Sequence, residues 1–413
     1  MGADAGGAAV ALCRRALARA GAPRIAVELW DGRVIHGGRG DEIVDSGERS
    51  EVARIVVTSR RAFARILVDP ELGFGDAYAC GEVEVRGDLV ALMEAIYPDA
   101  SGPSEAVPPR SLRGMLPPLL RVVPLPALRS ITPTRARRNA SIHYDTPSEF
   151  FELWLDRSMS YSCAYFPQPT SSLEAAQDAK MERICAKLAL APGERVVEAG
   201  CGWGALALYM ARRYGVTVDA YNVSRSQLQW ARARARCEGL TDRVRFIEAD
   251  YRTVAGRFDV FVSVGMLEHV GVRAYPQLGR IIRRCLAPGG RGLIHNIGRS
   301  RPMPTHRWIA KRIFPGGYTP SLSEMTTVFE PNGLVVLDVE NQRSHYVRTL
   351  ASWLERFREQ EQRITELLGE RAARSWHLYL AAAKAGFACG HLQLYQTLFT
   401  QSRQPWNPRS RSR

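Results

Sequence analysis

Apolar and polar positions alternate in short blocks along the chain, and the blocks change character near residue 140. Early on, Arg24–Leu29 and Arg54–Ser59 are β-branched runs that predict strands. Arg61–Leu67 and Asp88–Tyr97 carry the spacing of short helices. Ala8–Ala20 is apolar but interrupted by Arg14 and Arg15, so it predicts an amphipathic helix rather than a signal sequence. Together these predict a small α+β module. Further on, strand-like runs at Glu194–Ala199, Thr217–Tyr221, Arg245–Glu248, Asp259–Val264 and Gly292–Asn296 alternate with helical runs at Ala205–Tyr214, Ser226–Glu238 and Tyr275–Leu286. That alternation predicts βαβ units and a doubly wound, Rossmann-like α/β sheet. The runs Val347–Leu368 and Glu370–Phe387 are helical, with Leu350, Trp353, Leu354 and Phe357 on one face. They are expected to cap the sheet and wall a pocket.

Length sets the domain count. At 413 residues the chain has room for two domains. Nine of the 24 prolines fall between Pro98 and Pro133, which predicts a linker. The expected organisation is a module over 1–100, a Pro/Arg-rich linker over 101–138, a main domain over 139–400 and a basic tail over 401–413. The net charge is +14, and most of it sits in two places. Residues 101–140 hold seven arginines against Glu105 alone, and the tail adds Arg403, Arg409, Arg411 and Arg413 with no acid. Charge of this sign seeks an anionic partner. By itself it leaves three readings open: lipid headgroups, nucleic acid, or a solvated linker and tail. The eight cysteines form no CxxC pair, so neither a zinc site nor a redox motif is expected. Their scatter fits a reducing cytoplasm. No apolar run approaches the roughly 18 residues of a membrane span, so membrane contact would be peripheral.

Candidate chemistry begins at Glu198-Ala199-Gly200-Cys201-Gly202-Trp203-Gly204, which follows a strand and opens a helix. Glycines at alternate positions let the backbone turn sharply and approach a ligand. A tight structural turn is one reading, and a dinucleotide loop, with its G-x-G-x-x-G spacing, is another. The spacing here is G-x-G-x-G after an acid, which resembles motif I of S-adenosylmethionine-dependent methyltransferases. Asp250-Tyr251 ends a later strand and is placed to meet an adenine, by hydrogen bond and by stacking.

A more specific resemblance spans residues 135–400. The run from His143 to Phe166, containing Tyr161-Ser162-Cys163-Ala164-Tyr165-Phe166, is similar to the opening signature of the cyclopropane-fatty-acyl-phospholipid synthase family, which includes the mycolic acid cyclopropane synthases. Further matches follow in order: Glu174-Ala175-Ala176-Gln177 with Lys180, then Gly200–Gly204, then Asp250-Tyr251-Arg252. Next come Gly265-Met266-Leu267-Glu268-His269-Val270-Gly271, His295-Asn296-Ile297-Gly298, Phe314–Gly317, Tyr379-Leu380 and Gln393–Gln396.

The resemblance implies methyl transfer from S-adenosylmethionine to a cis double bond of an unsaturated acyl chain of a phospholipid. Loss of a proton from the resulting carbocation closes a cyclopropane ring. It implies bound bicarbonate as base, with Cys163, Glu268, His295, Ile297 (through its backbone) and Tyr379 around it. Cofactor contacts are implied at Tyr161, Ser162, Glu198, Gly200, Cys201, Gly202, Asn222, Gln227, Asp250 and Tyr251. Glu198 stands where the family has Asp, Asn222 where it has Thr, and Ala383 where some members have Cys. The implied partner is an anionic phospholipid surface at the inner membrane face, not nucleic acid. A homodimer is also expected, with the N-terminal module as a candidate contact. Competing readings are a methyl- or methylene-branched product, a secondary-metabolite C-methyltransferase, and a non-enzymatic lipid- or nucleic-acid-binding protein with a retained fold.

Overall fold

The computed structural model describes residues 9–15, 17, 24–37, 51–97 and 146–401. The expected linker over 101–138, the tail beyond residue 401 and His143 lie outside the described residues, as does part of Ala8–Ala20. The chain divides into two compact units.

The first unit is the N-terminal region joined by His306–Trp308 and Phe357–His391. It holds β1 (Ile25–Glu28), β2 (Val34–His36), β3 (Ala53–Val57), α1 (Arg60–Val68), α2 (Pro70–Ala79), β4 (Val83–Gly87) and α3 (Leu89–Ile96). Its sheet order is β2-β1-β3-β4, with β1 and β3 parallel. The helices start where side chains satisfy their free N–H groups. Ser59 accepts from Ala62, Asp69 from Leu72, and Asp88 from Val90 and Ala91. The helix Glu370–Ala388 belongs here, although the sequence reading assigned it to the main domain. The cause is a set of contacts distant in sequence. Arg374 donates to the Tyr78 and Val83 carbonyls at 2.7 and 2.9 Å and lies over the Tyr78 ring, and Tyr97 donates to the Ala382 carbonyl.

The second unit carries a seven-stranded sheet. After α4 (Ser148–Glu152) and α5 (Leu173–Lys187) come β5 (Arg195–Ala199), α6 (Ala205–Tyr214), β6 (Thr217–Asn222), α7 (Arg225–Cys237), β7 (Val244–Glu248) and β8 (Phe258–Val264). Then follow α8 (Tyr275–Cys285), β9 (Leu286–Gly298), α9 (Leu322–Phe329), β10 (Val335–Asn341), α10 (Arg343–Glu359) and β11 (Gln393–Thr400). The order is β10-β11-β9-β8-β5-β6-β7. Strands β7, β6, β5, β8 and β9 are parallel, and β11 runs antiparallel between β9 and β10. This is the expected doubly wound sheet, with a reversed strand inserted near one edge. The strand order turns at β5, whose neighbours are β6 and β8. In open α/β sheets ligands bind beyond the strand ends at such a switch point, and Gly200–Gly204 lies there.

The sheet is buried between two apolar layers. One is built on Ile184, Leu208, Met210 and Leu228. The other is built on Tyr275, Leu278, Ile282 and Phe329. Central strands covered on both faces read as continuous apolar runs, as Phe261 and Val262 do at 0% exposure.

Candidate active site

The turn after β5 is held by backbone geometry. Gly200, Gly202 and Gly204 have φ of +86°, +54° and +83°. A Cβ on Gly204 would lie 2.6 Å from the Phe246 ring. Gly204→Ala therefore combines left-handed strain with a clash. We expect a loss of about 1–3 kcal/mol in stability, read by urea denaturation. Gly200 and Cys201 both donate to the Tyr221 carbonyl, at 2.9 and 3.1 Å, which ties the turn to β6.

This turn floors a cavity, and all ten expected cofactor residues line it: Tyr161, Ser162, Glu198, Gly200, Cys201, Gly202, Asn222, Gln227, Asp250 and Tyr251. Asn222 bridges the wall, donating to the Gly202 carbonyl at 3.2 Å and to Gln227 Oε1 at 2.8 Å. Asp250 accepts from the Arg252 N–H and pairs with the Arg252 guanidinium at 2.8 Å, so the loop after β7 is stiffened from within. The Tyr251 ring is buried, with the Arg252 guanidinium 4.8 Å from its centroid. The Tyr161 ring packs 5.5 Å from each of Phe151, Trp154 and Trp353, so its face toward the cavity is fixed by an aromatic cluster.

Glu198 is 2% exposed, and its Oε2 has no protein partner. Burial pushes its carboxyl up to about 8, with Lys180 and the Ala207 N–H pulling the other way. A buried carboxylate oxygen without a donor is costly, and it fits a cationic or hydrogen-bond-donating ligand. S-adenosylmethionine, with its ammonium and sulfonium, has that chemistry.

The five residues expected around the base fall differently. Glu268 Oε1 accepts the Ile297 N–H at 2.6 Å, while Oε2 is buried without a partner. The Ile297 N–H is thus already engaged by Glu268, and its carbonyl accepts from Asn296 Nδ2. Burial pushes Glu268 up to about 7, which the Ile297 N–H partly offsets. His295 sits two residues earlier on β9, on the same strand face as Ile297. Gln396 Nε2 lies 3.3 Å from His295 Nδ1. An amide nitrogen only donates, so Nδ1 accepts and the ring proton rests on Nε2. Nε2 is buried without a partner, and burial holds the ring neutral, near about 3. His295 adjoins the cavity, because Gly265 in its wall donates to the His295 carbonyl at 2.8 Å. Cys163 is buried, and its Sγ lies 3.8 Å from Thr349 Oγ1. Burial drives its thiol far above the ordinary range, so it is no nucleophile. Tyr379 lies in the first unit, on Glu370–Ala388, buried against the edge of Trp376.

The sequence reading did not place Lys180, Met266 or His269 in the cavity, yet all three line it. Lys180 had a readable signal. It lies one helical turn after Gln177, and both are buried on the same face of α5. Among the described residues, no group of three or more His, Cys, Asp or Glu is arranged to hold a metal ion. No described helix is long and apolar enough to cross a membrane.

A doubly wound sheet with a glycine turn at its switch point, opening on a cavity with a buried carboxylate, fits an S-adenosylmethionine-dependent methyltransferase. Comparison with known proteins narrows the class. Residues 131–397 match the family model of mycolic acid cyclopropane synthetase, and the chain belongs to that family. A domain of unknown function matches residues 12–104. The chain is 40% identical over 260 residues to cyclopropane-fatty-acyl-phospholipid synthase of Escherichia coli, covering 63% of this chain and 66% of that one. It is 35% identical over 345 residues to tuberculostearic acid methyltransferase UfaA1 of Mycobacterium tuberculosis, covering 79% and 78%. Among solved structures, cyclopropane synthase MmaA2 of Mycobacterium tuberculosis superposes with a TM-score of 0.62 at 28% identity, covering 64% of this chain and 98% of that one. Mycolic acid cyclopropane synthase CmaA1, complexed with S-adenosylhomocysteine, gives 0.61 at 28% identity, covering 64% and 98%.

Proposed function

We propose that the protein transfers a one-carbon unit from S-adenosylmethionine to a cis double bond of an unsaturated fatty acyl chain of a phospholipid, closing a cyclopropane ring with bicarbonate as base. The observation that carries this reading is the pair Glu268 Oε2 and His295 Nε2, both buried, both without a protein partner, beside the cofactor cavity. They offer one acceptor and one donor, which suits a small anion bearing a hydroxyl. When bound, S-adenosylmethionine supplies an electrophilic methyl group and bicarbonate supplies the base.

The residues do the rest. Tyr161, Ser162, Asn222 and Gln227 hold the cofactor, and Gly200–Gly204 lets the backbone come close. The aromatic cluster behind Tyr161 keeps water from the developing cation and offers it π-faces. Glu268 would accept from a hydroxyl of the anion and His295 would donate to it, so these two side chains would hold and orient the base that takes the proton. Expression in a host lacking such enzymes, with fatty acids read by gas chromatography–mass spectrometry, tests this. A gain of one CH₂ that survives hydrogenation, with ring protons in the NMR spectrum, supports it. Unchanged fatty acids would overturn it.

A methyl-branched product is the second reading. The relative UfaA1, called a methyltransferase and not a cyclopropane synthase, favours it, and the same NMR spectrum separates the two.

The proposal extends to an anionic membrane at the inner face, without nucleic acid. It rests on the arginines of 101–138, which lie outside the described residues. Neutralising Arg135, Arg137 and Arg138 should weaken binding to anionic vesicles by about 1 kcal/mol per charge, read by vesicle sedimentation. A homodimer through the N-terminal module is proposed in parallel, with analytical ultracentrifugation as its measurement.

A further inference from the structure

Three neighbouring strands carry a row of polar side chains across the sheet. Glu340 on β10 stands opposite Gln396 on β11, and Gln396 stands opposite His295 on β9. Residues directly opposite one another share a face of the sheet. Gln396 and His295 are both buried. Gln342, just past the end of β10, joins the row. Its side chain is buried, and its backbone N–H donates to the Leu394 carbonyl at 2.8 Å.

The contacts along this row have a direction. At its outer end Glu340 is an ionised acceptor. Burial raises its carboxyl, but hydrogen bonds from Lys187, Arg183 and Gln342 bring it down to about 2. Lys187 Nζ and Arg183 Nη2 lie 2.6 and 2.7 Å from its two oxygens. Gln342 Nε2 donates to Glu340 Oε2 at 3.1 Å and to Gln396 Oε1 at 3.4 Å. Gln396 therefore turns its own Nε2 toward His295 Nδ1, at 3.3 Å. Reversing one amide alone would set two donors or two acceptors face to face. Reversing both would aim the Gln342 side-chain oxygen at the Glu340 carboxylate, which only accepts.

We propose that Glu340, Gln342 and Gln396 form a positioning relay that fixes the ring proton of His295 on Nε2. A neutral imidazole has one ring proton and two nitrogens to hold it, and the partner of one nitrogen decides the state of the other. Burial keeps His295 neutral, so the choice arises here. With the proton on Nδ1, Nε2 would present a lone pair to an anion and repel it. With the relay in place Nε2 is a donor, and it is the ring nitrogen that is buried without a protein partner. The inference rests on the bicarbonate reading for what Nε2 meets, and deepens it by naming what holds the proton there.

The test uses the full chain labelled with 15N-histidine. Long-range 1H–15N NMR separates the two neutral tautomers by the shifts of their ring nitrogens. The resonance lost in His295→Asn assigns His295 among the eight histidines. In the parent, His295 is expected wholly as the Nε2–H form. Gln396→Met should admit the Nδ1–H form and lower turnover roughly tenfold, with S-adenosylhomocysteine affinity, by calorimetry, close to that of the parent. Glu340→Gln leaves both glutamines in place but no longer opposes their reversal, so it should also admit the Nδ1–H form. A parent His295 protonated on Nδ1 overturns the inference. So do variants that keep the Nε2–H form while the urea midpoint falls, since the row would then only tie strands together. If Gln396→Met does not fold, Glu340→Gln, at the partly exposed end of the row, decides under the same criteria. A parent that keeps the Nε2–H form but neither binds nor requires bicarbonate overturns the base assignment alone, a separate and distinguishable result.

Discussion

Replacing Glu268 by Gln lowers turnover by roughly 10²–10⁴-fold while leaving S-adenosylhomocysteine binding within a few fold of the parent. The Gln side chain is isosteric, and its carbonyl oxygen still accepts the Ile297 N–H that Glu268 Oε1 takes at 2.6 Å. Its other end is an amide donor where Oε2 is a buried acceptor. A hydroxyl-bearing anion would then meet a donor where it needs an acceptor. The pH profile gives a second readout. Burial raises the Glu268 carboxyl to about 7, and the ionised form is the acceptor. The rate should therefore climb with pH through that region in the parent and lose this limb in Glu268→Gln. Stability carries the opposite sign. The folded pKa lies above the roughly 4.3 of an unfolded glutamate. The contribution of the neutral carboxyl is thus complete below the unfolded value and lost as pH rises through about 7. Near-normal turnover of the Gln variant with an unchanged profile would remove Glu268 from the chemistry.

Replacing Arg291 by Met should cost about 3–5 kcal/mol of stability, the largest structural effect expected in the second unit. Arg291 is fully buried on β9, away from the cavity end of the strand. Its guanidinium donates to Glu194 Oε1 and Oε2 at 2.9 and 2.7 Å, to the Ala189 carbonyl at 2.8 Å, and to the Leu188 carbonyl. One side chain thus satisfies the end of α5 and the entry to β5 together. Ala189 holds a φ of +44°, a conformation unusual for alanine that this anchoring sustains. Methionine fills much of the space but removes the donor to two carbonyls, and leaves the Glu194 carboxylate its Ala191 N–H without the guanidinium. The midpoint of urea denaturation should fall. The double variant with Glu194→Gln should lose less than the sum of the two singles, because they share one network. An unchanged midpoint would mean that water replaces the guanidinium at no cost.

Much of this architecture was readable from local pattern. The runs at 194–199, 217–221, 245–248 and 259–264 became β5 to β8, each with one end shifted by one residue. Such runs are fully covered by helices, so their apolar continuity survives in the sequence. Other elements were not read. The strands β10 and β11 were missed because β10 is an edge with Val335, Val336 and Val339 exposed, and β11 mixes Gln and Thr into its run. The expected helix Val347–Leu368 is two helices, Arg343–Glu359 and Glu361–Leu368, parted at Gln360, whose φ of −108° leaves the helical range. The strand expected from Gly292 begins at Leu286, with a register shift against β8 between Phe258 and Val260.

By itself the sequence determined the alternating α/β order and the glycine turn with its acid. These are local facts: periodicity and backbone permissiveness act within a few residues of one another. The ten residues that converge on one cavity were implied by the resemblance to the synthase family. The tertiary structure alone decided which polar atoms are buried without partners. It also decided that β11 inserts between β9 and β10, that Glu370–Ala388 joins the N-terminal module, and that Lys180 lines the cavity and donates to Ser162. Desolvation and charge act through space, between residues far apart along the chain. The burial of Glu268 and His295 therefore exists only once the sheet has brought β8 and β9 together.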